Sequence, residues 1–208
     1  MQNKFQIDIS FEIYYMPVKQ TIPYTSGTFF ITFTCVRWLP LIEISKSYDL
    51  VYKWFDHLKS NGHFINGYVI MPNHVHLLIS FKRSKQSINT IIGNGKRFMA
   101  YEMVKRLEKS GEYQLLVALN KYVEYRRSIK NKKHDVWELS FDWKECSNDK
   151  FITQKLNYIH MNPCKGKWKL CSVMEDYLHS SAKFYETGIQ GVYEIDHIDL
   201  IKDINLDD

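Results

Sequence analysis

No stretch of this chain approaches the roughly 20 consecutive apolar residues that a membrane-spanning helix needs, so no membrane partner is expected. Its first residues, Met1-Gln2-Asn3-Lys4-Phe5-Gln6-Ile7-Asp8, lack the basic-then-apolar layout of a secretory signal, and the expected location is cytoplasmic. Cysteine is scarce. Cys35, Cys146, Cys164 and Cys171 include no Cys-x-x-Cys pair, which speaks against both a zinc cage and a disulfide framework and leaves reduced, mostly packing thiols. Internal repeats and low-complexity linkers are missing too. What is present is a 208-residue chain, 45% hydrophobic and 15% aromatic, enough for one sizeable core.

The net charge of +5 is mild, but its distribution is uneven. From Lys82 to Lys133 there are fourteen lysines and arginines against four glutamates, whereas Glu186 to Asp208 holds seven acids and only Lys202 as a base. A basic middle suits a polyanionic partner, and it equally suits a solvated helical face.

Hydrophobic periodicity orders the elements. Thr28 to Val36 is β-branched and aromatic throughout and reads as a central strand. Tyr14 to Gly27 before it reads as an irregular lead-in. Leu50, Val51, Trp54, Phe55 and Leu58 recur at helical spacing over 46–60, with Ser45 or Ser47 as N-cap and Asn61-Gly62 as the stop. His63 to Met71 and Asn73 to Phe81 follow as a hairpin. A second helix spans 87–109, weakened by Gly93-Asn94-Gly95, where the glycines admit either a close backbone approach or a kink. A further helix is expected over 115–129, trailing into the basic stretch 126–134, then an extended arm over 136–143. Asn148 or Asp149 caps a last helix to Met161 with Ile152, Leu156 and Ile159 inward. This order predicts an α+β fold, a ferredoxin-like antiparallel sheet with helices on one face or both, plus an irregular C-terminal segment.

The sharpest feature lies in the second hairpin strand. In Met71-Pro72-Asn73-His74-Val75-His76-Leu77-Leu78, His74 and His76 alternate with Val75, so both imidazoles share one face and can offer nitrogens to one divalent metal ion. The other reading is of satisfied polar residues on a half-buried face. Pro72 interrupts ladder pairing, so the strand starts anew at a defined point and the positions of both rings are specified.

Gln154-Lys155-Leu156-Asn157-Tyr158-Ile159-His160-Met161-Asn162-Pro163 closes the last helix. Tyr158 and Asn162 are four apart and stack on one face, displaced from the buried stripe. Pro163 disfavours helix at Asn162 and ends the element there, leaving the amide free to bend toward a metal. Taken alone, the pair is better read as a packed tyrosine with its hydroxyl at the surface and a C-terminal cap residue.

Together these residues resemble a known family. His74-Val75-His76 is similar to the His-hydrophobic-His motif of the HUH single-strand endonucleases. The wider Val69 to Leu78 run, Tyr158-Ile159-His160-Met161-Asn162-Pro163 and Asp176-Tyr177-Leu178-His179-Ser180-Ser181-Ala182 resemble the REP-associated tyrosine transposases, its single-tyrosine branch. The likeness spans about residues 25 to 185, so 1–185 is expected as the catalytic domain and 186–208 as an acidic tail.

The resemblance implies that His74, His76 and Asn162 hold Mg²⁺ or Mn²⁺ and that Tyr158 is the nucleophile. It implies cleavage and strand transfer through a 5′-phosphotyrosine on single-stranded DNA beside an imperfect hairpin. It leaves open a monomer or a homodimer. A phenol with an ordinary pKa near 10 needs such help to attack a phosphodiester. Lys82, Arg83, Lys85, Lys96 and Arg97 are candidate phosphate contacts, Trp137 and Trp143 candidate stacking platforms, and Gln154 a candidate positioning residue. His160, on another helical face, is expected to be structural. Trp137-Glu138-Leu139-Ser140-Phe141 departs from the Trp-Gln-Arg of the family, which bears on DNA contacts. Two other readings stand beside this one: a transposase-derived protein that binds structured nucleic acid without cutting, and a metal hydrolase using water, for which no carboxylate sits at motif spacing.

Overall fold

The computed structural model describes residues 21–126 and 134–208. The expected lead-in before residue 21, and most of the basic stretch 126–134, lie outside the described residues. The elements run β1 (Gly27–Thr34), a one-turn α1 (Leu41–Ile44), α2 (Tyr48–Ser60), β2 (Phe64–Ile70), β3 (His74–Phe81), α3 (Ile88–Lys109), α4 (Tyr113–Arg126), β4 (Asp142–Glu145), α5 (Asp149–Met161) and α6 (Ala182–Thr187). The strands form one antiparallel sheet in the order β2-β3-β1-β4, the ferredoxin-like order. The α+β expectation therefore holds, with helices on both faces.

Strand alternation decides the two faces. Phe29, Ile31 and Phe33 of β1 and Val75, Leu77, Ile79 and Phe81 of β3 join α2, α3 and α4 in the main core. Phe30, Val69 and Leu78 point the other way and pack under Leu156 and Ile159 of α5. His74 and His76 are in register with the second set, so both imidazoles lie on the α5 face.

Several boundaries differ from expectation for local reasons. Ser47 caps α2 by position but makes no capping hydrogen bond; its hydroxyl pairs with that of Ser45 instead. The helix over 88–109 runs unbroken. Gly95 is explained by close packing, because a β-carbon there would fall 2.3 Å from the buried Trp54 Nε1, whereas Gly93 faces open space. The expected arm over 136–143 is only a bridge from Trp137 to Cys35, with β4 beginning at Asp142. Asn162 keeps helical angles and leads into a turn of 3₁₀ helix with Pro163, so the proline tightens the end of α5 rather than unwinding it.

The segment after α5 returns to the β2 edge. Ile70 N–H donates to the His179 carbonyl and Ser181 N–H to that of Tyr68, with a bridge between Val69 and Ser180. In residues 186–208, Ile195, Ile198 and Ile201 are buried, Asp196 N–H donates to the Ile65 carbonyl and Arg83 N–H to that of Leu206. No helix among the described residues is long and apolar enough to cross a membrane.

Candidate active site

The imidazoles are set by their neighbours. Thr32 lies opposite His76 in the ladder and its hydroxyl is 2.7 Å from His76 Nδ1. His76 also stacks on Phe30, with ring centroids 5.6 Å apart. This leaves His76 Nε2 without a hydrogen-bond partner among the described residues. His74 Nδ1 lies 2.7 Å from Asn73 Oδ1, and Asn73 Nδ2 donates to the Trp38 carbonyl at 3.0 Å, which fixes the way that amide faces. Asn73 Oδ1 can only accept, so His74 carries its proton on Nδ1 and its lone pair on Nε2. Burial holds the His74 pKa down at about 4, opposed in part by Asn162. Burial, then His74 and Lys155, holds His76 well below its ordinary value. At neutral pH both rings are uncharged and able to act as ligands.

Asn162, at the end of α5, puts Oδ1 3.2 Å from His74 Nε2. As assigned, two acceptors face each other there, an arrangement that a cation between them would satisfy; an amide turned over would satisfy it with Nδ2–H instead. The two rings are 4.6 Å apart, and the donor set of two imidazoles and an amide oxygen fits a divalent ion of the manganese type, with magnesium less well served by nitrogen. No group of three His, Cys, Asp or Glu residues among the described residues could hold a metal, so a site here depends on the amide.

Tyr158 stands beside this cluster in the same chain. Its ring centroid is 5.0 Å from that of His76 and 5.8 Å from that of Phe30, and the residue is 51% exposed, open to a large substrate. Gly67 of β2 makes the approach possible: a β-carbon there would be 2.6 Å from Leu156 Cδ2 of α5. His160 points into the protein, its Nε2 2.9 Å from Ser181 Oγ, which also receives Tyr68 N–H. The Ser180-Ser181-Ala182 segment thus clamps α5 to β2.

In overall structure the chain superposes on a REP-associated tyrosine transposase bound to a REP hairpin, with a TM-score of 0.53 and 16% sequence identity over 88% of this chain and 93% of that one. The two proteins share a fold. A protein from Deinococcus radiodurans R1, assigned as a transposase, aligns at a TM-score of 0.31 and 15% identity over 68% of this chain and 95% of that one, too low to add to the comparison. No protein-family model and no curated protein matches the chain.

The other sequence-chosen residues fall elsewhere. Lys96 is buried and its ammonium donates to the carbonyls of Glu138 and Ser140, so it staples α3 to the 138–140 segment instead of facing a phosphate. Arg83 is exposed and pairs with Asp207, and Lys82 is half-buried at the end of β3. Lys85 and Arg97 line a cavity of about 790 Å³ between α2 and α3, on the opposite face of the sheet from the histidines. Trp137 is core, its indole N–H donating to the Lys96 carbonyl, and Trp143 packs edge-on to Phe29; neither is a free stacking surface. Gln154 is exposed on α5, and its side chain makes no hydrogen bond among the described residues.

Two site residues escaped the sequence reading. Lys155 places Nζ 4.6 Å from the Phe30 ring centroid and 5.9 Å from that of Tyr158. Its spacing of three from Tyr158 was the available signal. Trp38 lies edge-on to His74 with centroids 5.5 Å apart, and no local pattern announces it.

Proposed function

We propose that this protein is a metal-dependent single-stranded DNA endonuclease and strand transferase of the REP-associated tyrosine transposase kind, acting beside DNA hairpins. The observation that carries the reading is the placement of an exposed phenol 5.0 Å from one of two neutral, buried imidazoles, with an amide oxygen from the same helix on the other imidazole. The shared fold with a transposase seen on a REP hairpin supports the choice of substrate.

His74, His76 and Asn162 are the residues that would hold Mg²⁺ or Mn²⁺. Bound there, the ion would supply positive charge that offsets the charge developing on the scissile phosphate. Tyr158 Oη attacks phosphorus; the Oη–P bond forms as the P–O3′ bond breaks, and the phenol proton ends on the released 3′-hydroxyl. The 5′-phosphotyrosine keeps the energy of the original bond, so a different 3′-hydroxyl can reverse the step and join strands. Lys155, on the same face, contributes positive charge where the phosphate sits. That these groups meet in one chain supports a site completed by its own tyrosine.

The test uses 3′-end-labelled single-stranded oligonucleotides carrying an imperfect hairpin with randomised flanks, incubated with Mn²⁺ and resolved under denaturing conditions. Label is expected to migrate with the protein, and Tyr158→Phe is expected to abolish this while hairpin binding persists. Adduct surviving in Tyr158→Phe overturns the nucleophile, cleaved DNA without adduct points to a hydrolase, and binding without cleavage points to a hairpin-binding protein.

A further inference from the structure

The turn leaving β1 holds an unusual pair. Arg37 and Trp38 have φ of 53° and 58°, the left-handed region that side chains with a β-carbon rarely occupy. The strained turn is held from several sides. Trp38 N–H donates to the Cys35 carbonyl at 3.0 Å, Arg37 N–H to Glu138 Oε1 at 2.9 Å, and Asn73 Nδ2 to the Trp38 carbonyl at 3.0 Å. Cys35 N–H in turn donates to the Asn73 carbonyl at 2.8 Å. The result is a tryptophan that is 51% exposed to solvent, with its indole edge-on to His74. Strain kept in place by a surrounding network at a candidate site is a reason to look for a role.

The row of rings supplies one. Trp38, His74, His76 and Tyr158 follow one another with centroid separations of 5.5, 4.6 and 5.0 Å. Tyr158 thus flanks the imidazole pair on the His76 side and Trp38 flanks it on the His74 side. In an in-line displacement the entering and leaving oxygens lie on opposite sides of phosphorus. With Tyr158 entering from one flank, the 3′-oxygen leaves toward the other, and the nucleotide that owns it is the one immediately 5′ of the cut.

We propose that the Trp38 indole is the stacking platform for the base of that nucleotide, a binding subsite that fixes where the strand is cut; it rests on the strand-transfer reading above. A π-face accepts any base, so the subsite holds position more than sequence. Asn73 couples the two functions, since its amide holds the Trp38 carbonyl with one atom and the His74 ring with the other.

The experiment walks an abasic site along a hairpin oligonucleotide and measures its dissociation constant by anisotropy on Tyr158→Phe protein, with and without Trp38→Ala. One position is expected to weaken binding about 5- to 150-fold when abasic, the range for loss of one base–aromatic stack, and to lose that penalty in Trp38→Ala. Trp38→Phe is expected to restore most of it. That position should lie directly 5′ of the phosphate that forms the adduct with wild-type protein. No position losing its penalty in Trp38→Ala, or one lying 3′ of the adduct, overturns the proposal. If the wild type forms no adduct while the coupling is present, the strand-transfer reading fails and the base-stacking site stands. Calorimetric Mn²⁺ affinity within about twofold of wild type separates a stacking defect from a disturbed His74.

Discussion

Gly67→Ala tests whether the closeness of α5 to the sheet sets the candidate active site. Gly67 follows the bulge at Ile65/Gly67, and a β-carbon there would lie 2.6 Å from Leu156 Cδ2 and 3.7 Å from Leu78 Cβ. Carbon atoms in contact prefer about 3.5–4.0 Å, so roughly 1 Å of space must be found. Either the Leu156 side chain turns or α5 lifts. Overpacking of this kind costs about 1–3 kcal/mol, read as a lower urea midpoint at unchanged slope. If the helix lifts, Tyr158 recedes from His76, and a displacement of about 1 Å lowers the rate of adduct formation on the order of 10²-fold. Leu156→Ala alone is expected to cost about 2–5 kcal/mol. The double variant should be more stable than the sum of the two losses, by about 0.5–3 kcal/mol, because the new methyl enters space the leucine has left. A Gly67→Ala protein with an unchanged midpoint and unchanged adduct formation, or an additive double variant, refutes the reasoning.

Gly95→Ala and Gly93→Ala in the same helix should move stability in opposite directions: the first is destabilised by about 1–3 kcal/mol through its clash with the Trp54 ring, the second stabilised by about 0.4–1 kcal/mol, both read by urea denaturation. Asn73→Ala removes the acceptor that orients His74 and should weaken Mn²⁺ binding about 10- to 100-fold by calorimetry; an unchanged affinity would sink the ligand assignment of His74. Arg106 grips Asp49 through two hydrogen bonds and holds its carboxyl at about 2, below the ordinary 3.8. The folded state therefore binds fewer protons than the unfolded one in that window, so the stability from this pair is present above the ordinary value and lost as the pH falls toward 2. The melting midpoint of Asp49→Asn should depend less steeply on pH there than that of the wild type.

Local periodicity carried most of the fold. The alternation in β1 and β3, the helical spacing of Leu50 to Leu58, and the Asn148 cap were legible because each depends on backbone geometry within a few residues. The same applies to the shared face of His74 and His76 and to Tyr158 standing one turn before Asn162. What α5 packs against was not legible, since it depends on Gly67 leaving room in a strand some ninety residues earlier. Nor was the fate of individual cations. Lys96 is buried where its ammonium donates to the carbonyls of Glu138 and Ser140, which are remote in sequence, while Lys155 reaches the Phe30 ring only once α5 packs on the sheet.

The sequence alone determined which residues could act as ligands and nucleophile and which neighbours share their faces, because strand and helix periods are properties of the chain itself. Only the tertiary structure decided that these residues meet on the α5 side of the sheet, and that Trp38, in a turn without glycine, stands next to His74. Such meetings arise from contacts between distant segments, whose geometry no local pattern encodes.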